Sequence, residues 1–172
     1  MGAPHSGGIR LNSVLLDTSF LICLSNSSRP HHDVAKRYFQ RFIAEGVTMH
    51  LSTIVISEYE VRQRITDLGL ANFIVLPFNI DDAIVTARVF DVMHAARQQF
   101  GDERDAVKDD AKLLGQCVAA GITHFTTDDG PCARRVATAR SKGAIAGLPY
   151  AISLHEPFEA AWFSEGNQGS LI

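Results

Sequence analysis

Short, mostly apolar runs alternate with longer amphipathic stretches along this chain. Val14–Leu16, Val47–Leu51, Phe73–Leu76, Ile122–Thr127 and Tyr150–Leu154 are of strand length. Runs of this kind mark strands buried on both faces of a parallel sheet. Between them, a short helix is predicted over Phe20–Leu24. Asp33–Glu45 sets Val34, Tyr38, Phe39, Phe42 and Ile43 on one helical face, and Lys36, Arg37 and Arg41 on the other. Further helices are predicted from Ser52 or Thr53 to about Leu68, and over Asp81–Phe100, Arg104–Ala120 and Pro131–Lys142. A last helical turn is predicted over Pro157–Phe163. Gly46, Gly101-Asp102 and Gly121 end helices, and Pro131 suits a first helical position. This alternation predicts an α/β fold: a three-layer α/β/α sandwich around a mostly parallel central sheet of about five strands. One domain is expected over 13–163, with a flexible lead at 1–12 and a tail at 164–172.

The totals narrow the picture. The chain has 172 residues, 46% hydrophobic and 20% charged, which suits one globular domain with a sizeable core. No apolar run approaches the roughly 20 residues that a membrane span needs. Met1–Gly8 lacks an apolar signal core, so a cytoplasmic protein is expected. Cys23, Cys117 and Cys132 form no C-x-x-C pair and read as reduced thiols. A net charge of −3 offers no global steering toward nucleic acid.

The acids change the picture most. Asp17 closes the first apolar run, at the carboxyl end of a strand, where open α/β sheets bind ligands. Alone it serves equally as a cap for the helix that follows. Glu58 lies on the stripe of Ile54, Val55, Val61 and Ile65, where an unpaired carboxylate is costly. Asp110 shares a face with Leu113, Leu114 and Cys117, and Asp109 borders it. Asp128 repeats the position of Asp17 after Thr126-Thr127, with Asp129 next to it. Two carboxylates about 5–6 Å apart repel by about 3 kcal/mol at an effective dielectric near 20. Four gathered in one place call for a cation or for raised pKa values. Oxygen ligands without clustered cysteine or histidine suit Mg²⁺ or Mn²⁺. The reading requires that the acids converge and that arginine or lysine does not neutralise them.

L-L-D-T-S-F-L at 15–21, S-T-I-V-I-S-E-Y-E at 52–60, D-A-K-L-L-G-Q-C-V-A-A-G at 110–121 and T-T-D at 126–128 resemble the PIN-domain family of metal-dependent nucleases, which includes the VapC-type toxins. The resemblance runs from about Val14 to Phe163. It implies a PIN-like fold and a metal-dependent endoribonuclease with Asp17, Glu58, Asp110 and Asp128 as catalytic metal ligands. Thr18, Ser19 and Thr126 would be supporting hydroxyls, with Asp109 and Asp129 nearby. It also implies RNA as substrate, an antitoxin or other inhibitory protein as partner, and a homodimer. Lys112 departs from the family pattern, as does extra length around Gln98–Lys108.

Substrate phosphates need cations from elsewhere on the chain. Arg134, Arg135, Arg140 and Lys142 follow Asp128, and Arg62 and Arg64 follow Glu58. The histidines, including His31-His32, show no metal-ligand spacing. The rival reading is a catalytically silent PIN-like module that binds or scaffolds. Receiver-domain and dehalogenase-type readings rank lower: the acidic pair Asp128-Asp129 comes late, and Ser19 stands where a phosphatase would need a second aspartate.

Overall fold

A computed structural model describes residues 9–100 and 104–164. Residues 1–8 of the expected lead at 1–12, the break at Gly101-Asp102 and residues 165–172 of the expected tail at 164–172 lie outside the described residues. The sheet has five strands, all parallel: β1 (Ser13–Leu16), β2 (Thr48–Ser52), β3 (Phe73–Leu76), β4 (His124–Thr127) and β5 (Tyr150–Ser153), in the order β3-β2-β1-β4-β5. The helices are α1 (Thr18–Ser25), α2 (His32–Ala44), α3 (Thr53–Glu60), α4 (Ile80–Phe100), α5 (Arg104–Ala120) and α6 (Gly130–Ser141). This is the α/β arrangement that the apolar runs predict, with helices flanking a central parallel sheet.

The chain builds the sheet outward from β1 in one direction and then, with β4, in the other. The β1–β4 junction is therefore the point where a crevice opens beyond the strand ends. Val14 pairs in register with Met49 on one side and His124 on the other, and Leu16 lies opposite Thr126. Val14, Leu15 and Leu16 are fully buried, as a strand covered on both faces must be. Tyr38 and Phe42 of α2 pack their rings against Phe163, and Tyr38 also packs against Phe158, closing the far end. Leu11 is buried and donates its N–H to the Trp162 carbonyl at 3.0 Å, so ordered packing begins before residue 13. All three cysteines are free and buried.

The helix expected to reach Leu68 is shorter. The N–H groups of Arg62 and Gln63 turn back to the Tyr59 carbonyl at 2.9 Å, and the Glu60 carboxylate accepts from Ile65 N–H at 2.7 Å. Glu60 thus caps a turn. Val61, expected on the buried stripe, is 83% exposed. Two short 3-10 turns, Ile65–Leu68 and Leu70–Asn72, lead into β3. The placement of α5 depends on a close approach. A Cβ at Gly115 would stand 2.9 Å from Thr86 Cα, so only glycine lets α4 and α5 come this near. Among the described residues no helix is long and apolar enough to cross a membrane.

Candidate functional site

Asp17 stands at the end of β1 because its N–H continues the ladder to the Thr126 carbonyl at 3.1 Å. Its backbone is extended there, and its carboxylate caps α1 by accepting Thr18 N–H at 2.7 Å. The capping role and the strand-end role coexist. The second oxygen accepts from Ser19 Oγ at 2.6 Å and from Thr127 Oγ1 at 2.8 Å. These three donors favour the ionised form. Burial outweighs them, so the Asp17 carboxyl sits above its ordinary pKa, with the charge of Asp129 adding to the rise.

Glu58 projects from α3 toward the same place and accepts a hydrogen bond from Thr18 Oγ1. Thr18 thereby links the two acids: its backbone N–H serves Asp17 and its hydroxyl serves Glu58. Burial raises the Glu58 pKa first, followed by the charges of Asp17 and Asp109, against the Thr18 hydrogen bond and the charge of Lys112. Asp109 itself is paired on the surface with Lys112 at 2.9 Å. Asp110, on the inner face of α5, is pushed up to about 6, by burial first and then by the charge of Asp17.

Asp110 also pairs with Arg135, which is buried at 1% exposure. For this acid, the neutralisation that would count against a metal site is partly present. It does not win: the guanidinium and the Cys132 thiol both lower the Asp110 pKa, yet the net shift is upward. Arg135 therefore lies beneath the acids, and its reading as an RNA-facing cation is corrected. The signal was readable, since Cys132, Arg135, Val136 and Ala139 follow the i, i+3, i+4, i+7 pattern of a buried stripe. Arg140 is also engaged in the fold. It donates to the Leu148 carbonyl and lies over the Tyr150 ring at 3.5 Å. Arg134, Lys142, Arg62 and Arg64 are exposed.

The strand-end pair after β4 divides. Successive side chains of an extended segment point to opposite sides. Thr127 therefore faces Asp17, while the buried hydroxyl of Thr126 has no hydrogen-bond partner. Two residues on, Asp129 acts electrostatically on Asp17 and caps α6 by accepting Cys132 N–H at 2.8 Å. Asp128 turns the other way. His31 Nδ1 lies 2.6 Å from its Oδ1, Arg29 lies 3.6 Å from Oδ2, and the Asp128 carbonyl accepts from His155 Nε2 at 2.8 Å. The sequence carries T-x-D twice, at Thr126-x-Asp128 and Thr127-x-Asp129. The structure brings the second register to Asp17. Thr127 is the supporting hydroxyl that the sequence reading missed, and the doubled motif was the available sign of it.

Asp17 thus interacts electrostatically with Glu58, Asp110 and Asp129, all four partly buried, and the carboxyls of Asp17, Glu58 and Asp110 all shift upward. Oxygen donors held against their own repulsion fit a hard divalent cation. Arg135 offsets part of the charge. No family model matches the sequence. No curated protein matches it either. Among solved structures, the chain is similar to VapBC2 from Rickettsia felis bound to a promoter DNA fragment, at 14% identity and a TM-score of 0.49, covering 82% of this chain and 98% of that one. It is also similar to Mycobacterium tuberculosis VapC20, a toxin that cleaves the sarcin–ricin loop, at 19% identity and a TM-score of 0.46, covering 79% and 99%. DNA-bound VapBC from Salmonella typhimurium is a third, at 17% identity and a TM-score of 0.48, covering 83% and 98%.

Proposed function

We propose that this protein is a divalent-metal-dependent endoribonuclease. The observation that carries the reading is the electrostatic contact of Asp17 with Glu58, Asp110 and Asp129, with the carboxyls of Asp17, Glu58 and Asp110 raised by burial first and then by neighbouring charge. The family resemblance of the sequence supports it. Asp17, Asp110 and Asp129 would hold Mg²⁺ or Mn²⁺, and Glu58 would orient a water or help with a second ion. When bound, the ion supplies a water of lowered pKa and neutralises charge on the leaving oxygen. Ser19 and Thr127 fix the Asp17 carboxylate by donating to one of its oxygens, and Thr18 keeps Glu58 turned toward it. Arg135 holds Asp110 in place from below. Arg134 and Lys142, exposed on or just after α6, would contact substrate phosphates. The expected products carry 5′-phosphate and 3′-hydroxyl ends. An inhibitory antitoxin and a homodimer follow from the resemblance alone.

The Asp110–Arg135 pair favours a second reading, in which the fold binds or scaffolds without catalysis. Incubation with total RNA in Mn²⁺ or in chelator, followed by mapping of new 5′ ends, separates the two. Cleavage that needs Mn²⁺ and is lost in Asp17→Asn supports the nuclease. Cleavage unaffected by chelator, or absent in both conditions, rejects it.

A further inference from the structure

Outside the carboxylate group, three segments distant in sequence bring metal-binding atoms together. His31 lies just before α2, Asp128 in the turn after β4, and His155 in the turn after β5. One ligand atom from each lies within 4.8 Å of the others. The Asp128 side chain is 8% exposed, His31 is 29% exposed and His155 about half exposed, so the group is built on the fold yet open to solvent. Asp128 Oδ1 is shared by both histidines, at 2.6 Å from His31 Nδ1 and 3.7 Å from His155 Nε2. The two rings pack at 4.4 Å between centroids. Arg29 approaches the other oxygen, Oδ2, at 3.6 Å, which leaves Oδ1 to the histidines. His32, by contrast, lies with its Nδ1 at 3.0 Å from the Cys23 carbonyl and takes no part.

We propose that His31, Asp128 and His155 form a site for a transition-metal ion of the zinc class, separate from the carboxylate pocket. Two imidazoles and one carboxylate suit zinc, cobalt or nickel and are a poor set for Mg²⁺. Ligand bonds of about 2.0–2.2 Å put donor atoms roughly 3–3.5 Å apart in a tetrahedral site. Reaching that spacing takes a small opening of the His31–Asp128 contact and an inward turn of the half-exposed His155 ring, away from the Asp128 carbonyl. Both nitrogens then give up their hydrogen-bonding protons to take the ion. With three protein ligands, a fourth position stays open to water or a further ligand. The ion would tie the loop before α2 to the turns after β4 and β5, beside the crevice.

The test uses the full chain stripped of metal, in excess Mg²⁺ so that the carboxylate pocket is filled. Co²⁺ is titrated as a spectroscopic probe and then displaced with Zn²⁺. The expected result is one equivalent of Co²⁺ with a visible d–d band, displaced by zinc. In His155→Ala the affinity should fall by about tenfold or more, at least as much as loss of an outer-shell partner costs a metal site. His155→Gln, which keeps a hydrogen-bond donor but no imidazole, should lose it too. Asp17→Asn should bind as the wild type does. Failure to bind Co²⁺ over Mg²⁺, full binding by His155→Ala, or loss of binding in Asp17→Asn would each overturn the site. None of these readouts depends on RNA cleavage.

Discussion

Asp128 and Asp129 are neighbours in the chain and belong to opposite environments. Asp129 is half-buried and its charge acts on Asp17, whose carboxylate takes hydroxyls as its supporting donors. Asp128 faces His31, His155 and Arg29, groups able to carry positive charge. The strand pleat alone makes the difference, since one residue of register exchanges the two sides. Under the two proposals, identical side chains one position apart would serve different ion chemistry: oxygen donors for a hard cation on one side, imidazole for a softer one on the other.

The pocket side should show the larger effects. Asp17→Asn should reduce metal-dependent RNA cleavage by about a thousandfold, the several kcal/mol expected of a lost metal ligand. Its melting temperature in chelator should be unchanged or higher, because a buried, repelled charge is gone. Activity close to wild type would break the assignment of the pocket.

The pH dependence sharpens the contrast next. The Asp110 carboxyl is raised from 3.8 to about 6, so between about pH 4 and 6 the folded state holds a proton that the unfolded chain has lost. Stability is therefore highest below that window, falls as pH rises through it and levels off above, by on the order of 3 kcal/mol. Asp17 and Glu58 shift in the same direction and add to the trend. Thermal denaturation in chelator should show the decline, and Asp110→Asn should flatten it. Saturating Mn²⁺ should oppose it, since a bound ion holds the carboxylates ionised. A wild-type profile that rises over this window in chelator would contradict the burial argument.

Two smaller effects follow. Gly115→Ala should destabilise the fold by about 1–3 kcal/mol in chemical denaturation, because the added carbon meets the Thr86 backbone where α4 and α5 touch. Unchanged stability would show that α5, and Asp110 with it, is held differently. Arg134→Glu combined with Lys142→Glu should weaken RNA binding modestly and lower its salt dependence, by about one unit of slope per lost phosphate contact. An unaltered salt slope would remove that patch from the substrate path.

Much of the fold was legible because β1 to β5 are short, apolar and regularly separated by helices. That pattern has few solutions besides a parallel sheet with covered faces. The early end of α3 was not legible, since Val61 and Ile65 continue an apolar period that the chain interrupts with the Glu60 cap. Asp17 and the inward face of Asp110 were readable from a strand end and a helical stripe. The choice between Asp128 and Asp129 was not, because the repeated threonines and aspartates fit either register. The histidine group had no local sign: His31 and Asp128 are 97 residues apart, and only the meeting of β4 and β5 at the crevice unites them.

Asp129, and not Asp128, is proposed to complete the carboxylate pocket around Asp17. The direct measurement is Mg²⁺ binding by calorimetry to Asp129→Asn and Asp128→Asn, each compared with the wild type. The expected result is at least about a tenfold loss of affinity in Asp129→Asn, as for other disrupted metal sites, and near wild-type binding in Asp128→Asn. Equal losses, or a loss confined to Asp128→Asn, would contradict it.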